Sequence, residues 1–246
     1  MSGEKGAVST GKGGPPARSL CWHCQSTIAG EYFCEQCIKI QPISSETDYF
    51  RYLGLPRKLN IDLKDLERRF YELSRRFHPD YYQQKSEQER AISLENAAIL
   101  NTAYRTLQDP VRRVEYLIRL EEGAAKEIPT KAPADLFEEI LELQETLEEY
   151  KRLRKIQGQE SQGLRERLLS ERARLETRKK AQEEELYGLF KKWDALREDQ
   201  EKGERHEILQ LMKDILSHRS YLETVLRDVG EGLRPIGSID VTDRRH

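Results

Sequence analysis

The chain has 246 residues, with 42 lysines and arginines against 44 aspartates and glutamates, for a formal net charge of −2. Charged residues make up 35% and the hydrophobic set 37%, which suits long helices with thin apolar faces better than a large globular core. The near-neutral balance argues against a nucleic-acid partner, and no apolar run approaches the roughly 20 residues that span a bilayer.

Residues 1–19 are rich in Gly, Ser, Lys and Pro and are expected to form a disordered tail. They lack the apolar core of a secretory signal and have few arginines for a mitochondrial transit segment. This favours a bacterial cytoplasm, with a mitochondrial matrix as the alternative. Residues 20–42 hold all four cysteines, as the pairs Cys21/Cys24 and Cys34/Cys37 with nine residues between them. Two CxxC pairs with a short spacer are the pattern of a tetrahedral four-thiolate zinc site, structural because no coordination position is left for water. The metal would supply most of the folding free energy of so small a module. Trp22, Tyr32 and Phe33 are expected to pack around the cluster, and His23 to face solvent. An iron–sulfur cluster on the same cysteines is the main competitor. Two disulfides would need an oxidising compartment.

Residues 46–122 read as a helical module. A short apolar helix at Tyr49–Leu55 precedes a longer one capped by Asp62, with Asp65 in its first turn. Leu63, Leu66, Phe70, Leu73 and Phe77 are spaced three, four, three, four, which makes one buried stripe. Lys64, Arg68, Arg69, Arg75 and Arg76 occupy the other faces. Pro79, in His78-Pro79-Asp80, stops the helix. The next helix is expected to bury Ala91, Leu94, Ala98, Tyr104 and Leu107 and to end near Asp109-Pro110. On residues alone, this is a helical hairpin with a proline-bearing turn and a solvated basic face.

The segment from Asp48 to Leu120 resembles a J-domain, in its opening Asp48–Leu55, in His78-Pro79-Asp80 and in Asn101–Pro110. The continuation Asp109–Leu120, the acidic helix after it and the double CxxC module make the chain similar to the HscB family of J-domain cochaperones of iron–sulfur cluster assembly. The resemblance implies that Lys64, Arg68, Arg69, Arg75 and Arg76 meet an acidic patch on a DnaK/HscA-type chaperone ATPase. It also implies that His78, Pro79 and Asp80 trigger hydrolysis there. His78 is not expected to act as a general base, because no second catalytic group accompanies it, and an enzyme is not expected.

Residues 123–133 read as a linker, and 134–228 as an antiparallel three-helix bundle. The expected stripes are Leu136, Phe137, Ile140, Leu141, Leu143 and Leu147, then Leu164 to Leu196, then Ile208 to Leu226. The resemblance implies that this bundle holds an IscU-type scaffold protein. Phe137, Leu141 and Tyr221 would be apolar contacts, with Leu136 in the same helix and Glu142 and Glu145 as polar rim. Residues 229–246, with three glycines and a proline, are expected to form a flexible tail. The fold class is therefore all-α: a J-domain hairpin and a three-helix bundle behind a small zinc knuckle module. The expected function is a non-enzymatic cochaperone, with a zinc-containing helical adaptor whose J-domain does not stimulate as the alternative.

Overall fold

A computed structural model of the protein describes residues 19–28, 32–43, 47–123, 128–155, 158–196 and 202–234. It is almost wholly helical beyond a two-stranded antiparallel pair, β1 (Ser19–Leu20) and β2 (Thr27–Ile28). Of the tail expected at 1–19, Ser19 begins β1, while residues 1–18, like 235–246, lie outside the described residues. The chain divides into two compact units: residues 1–57 with 62–108, and residues 58–61 with 109–246. The expected 46–122 module thus runs through both.

In the first unit, α1 (Tyr49–Tyr52) begins where Asp48 accepts the Phe50 amide at 2.9 Å. Gly54 leaves it at φ +65°, a left-handed turn over which the Arg69 guanidinium lies too close for any side chain. Helix α2 (Leu63–Phe77) is capped by Asp62 and ends where His78 turns extended ahead of Pro79. Its core contacts are Leu66, Leu73 and Phe77. Phe70 is half-buried, with its ring stacked on Tyr104 at 4.2 Å, and Leu63 is exposed.

Helix α3 (Glu87–Gln108) differs from expectation. Its buried residues are Glu89, Ile92, Ser93, Asn96, Leu100, Ala103 and Leu107, whereas Ala91, Leu94 and Ala98 face solvent. Three polar side chains lie on the buried face because each has a partner. Ser93 donates to the Phe77 carbonyl at 2.7 Å, Asn96 joins the Gln41 carbonyl and the Ile43 amide, and Glu89 takes Lys39 at 2.9 Å.

In the second unit, α4 (Pro110–Glu122) starts with Pro110 in its first turn, and Asp109 accepts the Val111 and Arg112 amides. Helices α5 (Phe137–Leu153), α6 (Gln159–Ala195) and α7 (Lys202–Gly232) follow, and α6 packs against both α5 and α7. Two apolar cores run along this unit. One joins Leu59, Val114, Leu117, Ile118, Leu186, Phe190, Trp193 and Met212. The other joins Leu136, Ile140, Leu143, Leu147, Leu168, Leu175, Leu222 and Val229. Between them in sequence on α6 and α7 lie two buried polar residues, Gln182 and Ser217. Ser217 binds the Pro129 carbonyl and the Lys131 amide, so the second half of the expected linker is fixed on α7.

Helix α7 runs on to Gly232, into the stretch expected to be a tail. Val229 is buried and Leu233 packs beside it, and this burial outweighs the cost of Gly230 and Gly232 in a helix.

Candidate functional site

His78-Pro79-Asp80 lies at the end of α2, where Pro79–Tyr82 form a single 3-10 turn. The turn is held from beneath. Tyr82 is buried and its hydroxyl donates to the Arg76 carbonyl at 3.0 Å. His78 Nδ1 accepts the Asp80 amide at 3.3 Å, and Gln83 donates to the Asp80 carboxylate at 3.2 Å. The reactive tips stay in solvent: the side chains of His78 and Asp80 are 51% and 71% exposed. His78 has no carboxylate or nucleophile beside it other than Asp80 Oδ2 at 3.5 Å, among the described residues.

The five basic residues of α2 are not equivalent. Lys64 and Arg75 are exposed, with no ion pair among the described residues. Arg68 is tied to Asp65 and Glu72 along its own helix. Arg69 points inward, to Asp65 and to the carbonyls of Leu53 and Gly54 at 3.3 and 2.8 Å, so it closes the α1 turn. The Arg69 and Arg68 guanidinium groups hold the Asp65 carboxyl below the ordinary carboxylate range. Arg76 lies with its guanidinium 4.6 Å from the Phe33 ring centre and 5.9 Å from that of Tyr32.

The four cysteines converge. Their sulfurs lie within 4.8 Å of one another, with Cys21–Cys37 and Cys24–Cys34 each 3.6 Å apart. That is far too long for a disulfide bond of about 2.05 Å. The Ser26 hydroxyl and the amides of Cys37 and Gln36 bring the Cys34 thiol down to about 6, while burial and the neighbouring sulfurs push Cys37 up to about 12. Four sulfurs converging on one point, from two CxxC knuckles, can hold a metal ion. Gln41 donates to Cys21 Sγ at 3.4 Å and to the Lys39 carbonyl at 2.8 Å, and links the cluster to Asn96 of α3. Nothing in the sequence pattern marked Gln41, Asn96 or Glu89.

The aromatic residues of the module do not surround the cysteines as expected. Trp22 donates to the Ile40 carbonyl at 2.7 Å, and Tyr32 and Phe33 pack on Phe77 of α2. The reason is packing: Phe77 and Tyr52 offer wholly buried aromatic surface, which the small cysteine cluster lacks. Ile38 closes the second knuckle at φ +60° and is 79% exposed.

In the second unit, Phe137 and Leu141 do not join the core stripe of α5. They are 60% and 50% exposed and share one helix face, four residues apart. Tyr221 is half-buried against the second core, while Glu142 and Glu145 are exposed. Leu136 is buried in that core, so it supports the face and is not part of its surface.

Residues 48–116 match the DnaJ domain family. The mouse (Mus musculus) iron-sulfur cluster co-chaperone protein HscB is 35% identical over 135 residues, 52% of this chain and 56% of that protein. The Vibrio cholerae co-chaperone protein HscB homolog is 41% identical over 103 residues, 41% of this chain and 60% of that protein. The matched region spans little more than half the length of these relatives. The crystal structure of human co-chaperone protein HscB shares the fold, with a TM-score of 0.62 at 22% identity over 87% of this chain and 98% of that one. Among the described residues, no helix is long and apolar enough to cross a membrane.

Proposed function

We propose that the chain is a member of the HscB family, that it stimulates ATP hydrolysis by a DnaK/HscA-type chaperone and that it delivers an IscU-type iron–sulfur scaffold protein to it. The observation that carries this reading is His78-Pro79-Asp80 held on a fixed turn with its tips in solvent, at the end of a basic helix. Lys64, Arg75 and, with their local partners, Arg68 and Arg76 offer positive charge to an acidic ATPase face, which steers and orients more than it adds affinity. Asp80, exposed although Gln83 donates to it, can pair with an arginine of the ATPase. Arg69 contributes indirectly, by fixing the turn at Gly54. In the second unit, Phe137 and Leu141 are apolar surface on an otherwise polar helix face and suit a client protein, with Tyr221 beside the core and Glu142 and Glu145 at the rim.

Zinc is the ion proposed for the cysteines. A tetrahedron with Zn–S bonds of about 2.3 Å has edges of about 3.8 Å, close to the two 3.6 Å separations. Sulfur separations this short support a single ion over a cluster of several irons. Its chemistry is structural: it holds the two knuckles together. The relatives come from a bacterium as well as a mammal, and the proposed compartments are the bacterial cytoplasm and the mitochondrial matrix.

The test is steady-state phosphate release by a DnaK-type ATPase, with and without scaffold. His78→Gln should keep the helical circular dichroism signal and abolish stimulation. The double variant Phe137→Ala/Leu141→Ala should lose only the scaffold-dependent part. Undiminished stimulation by His78→Gln refutes the reading. Scaffold binding without any stimulation by the unaltered protein points to the adaptor instead.

A further inference from the structure

The segment that carries the cysteines is packed on the residue next to His78. Phe77 is wholly buried and is the last residue of α2. Three rings enclose it: Tyr32 edge-on at 5.5 Å, Phe33 stacked at 6.2 Å and Tyr52 stacked at 6.4 Å. Two of the three come from the cysteine module. The Tyr32 hydroxyl also donates to the Tyr52 carbonyl, and the Phe33 ring carries the Arg76 guanidinium. From Cys34 to His78 the path is Phe33, then Phe77: one peptide bond, one ring contact, one peptide bond.

We propose that Tyr32 and Phe33 are positioning residues for His78-Pro79-Asp80, so that the folded state of the cysteine module is sensed at the ATPase-triggering turn. The inference rests on the proposed cochaperone reading and extends it to regulation. The last turn of a helix has carbonyls without intrahelical donors and frays unless it is packed. Here two of the three rings that pack that turn are Phe33 and Tyr32, beside Tyr52, with Ser93 satisfying the Phe77 carbonyl and Tyr82 that of Arg76. A four-cysteine module this small holds its shape through its ligands and not through an apolar core. Releasing Cys34 therefore releases Phe33, and with it the face on which Phe77 and Arg76 rest.

The experiment uses the full chain and two variants. Phe33→Leu keeps apolar volume and removes the ring, and Phe33→Tyr restores it. Three readouts are taken: metal content, hydrogen exchange of the amides of residues 75–80, and ATPase stimulation resolved into its maximum and its half-saturating concentration. Phe33→Leu should keep the metal stoichiometry, speed exchange at 75–80 and lower maximal stimulation about tenfold, the size expected for a lost ring pair and cation–π contact. The half-saturating concentration should change less than about twofold, because Lys64, Arg68 and Arg75 are untouched and Arg76 keeps its charge although it loses the Phe33 ring. Phe33→Tyr should restore all three, and chelation of the unaltered protein should reproduce the Phe33→Leu exchange pattern. Unaltered exchange at 75–80 in Phe33→Leu, or a loss of stimulation that follows loss of metal or of helical signal instead of exchange, overturns the proposal. If the unaltered protein fails to stimulate at all, the cochaperone reading falls, while the exchange data still decide the positioning of the turn.

Discussion

Asp194 offers the most direct test of how the second unit is held together. It lies at the end of α6, and its carboxylate accepts the Leu59 amide at 2.7 Å, the Asn60 amide at 2.8 Å and the Asn60 side chain at 2.9 Å. Leu59 itself is fully buried among Val114, Leu117 and Trp193. Asp194→Ala strands a partly buried backbone donor, which costs about 1.5–3 kcal/mol for a charge-assisted bond. The two exposed bonds add about 0.5 kcal/mol each. The sum, about 2.5–4 kcal/mol, corresponds to a fall in melting temperature of about 6–16 °C for a unit of this size. Asp194→Asn keeps one acceptor oxygen and should cost about half as much. The assay is denaturant unfolding followed by Trp193 fluorescence in a Trp22→Phe background. A loss below about 0.5 kcal/mol for Asp194→Ala would refute the assignment, since that is the scatter of ordinary surface substitutions.

Ile38→Gly should strengthen the cysteine module. A β-branched residue in the left-handed region costs about 1–2 kcal/mol, partly offset by the extra freedom of glycine in the unfolded chain, so metal affinity in chelator competition should tighten about two- to fivefold. Unchanged or weaker affinity would mean that the turn at Ile38 is unstrained. Glu89 supplies a pH signature. Burial alone would raise its carboxyl, but the Lys39 ammonium and the Ser86 hydroxyl and amide hold it below its ordinary 4.5. A lowered carboxyl stabilises the fold above its unfolded value and loses that contribution as pH falls through the folded one. The stability gap between the unaltered protein and Glu89→Gln should therefore be constant above about pH 5 and shrink below 4.5. A gap that widens on acidification contradicts the pairing.

What the sequence disclosed were features with a short range along the chain. The CxxC spacing, the cap at Asp62, the stop at Pro79 and the stripe through Leu66, Leu73 and Phe77 each depend on neighbours within a few residues. What it concealed depended on partners far away. The face of α3 was misjudged because its buried side carries Glu89, Ser93 and Asn96, polar residues that are tolerable only opposite Lys39, Phe77 and Gln41. Tyr32 and Phe33 are adjacent to a cysteine in sequence, yet they serve a phenylalanine more than forty positions on. Phe137 and Leu141 fit an apolar period as well as Ile140 and Leu143 do, and periodicity alone cannot say which edge of a wide stripe is covered. Gly230 and Gly232 read as breakers, but a breaker loses where buried Val229 before it and Leu233 after it are both packed on the core.

The pair Gln182 and Ser217 has a consequence for how this hairpin of long helices can change length. Arg219 meets Glu183 and Lys179 meets Glu223, each at 3.1 Å, so the register of α6 on α7 is fixed at the level of these neutral polar residues. Sliding one helix past the other by two turns would break both ion pairs and carry Ser217 away from the Pro129 carbonyl. Seven-residue duplications are thus acceptable only when both strands of the hairpin gain them on the same side of that level, which makes it a fixed mark from which the two arms are measured.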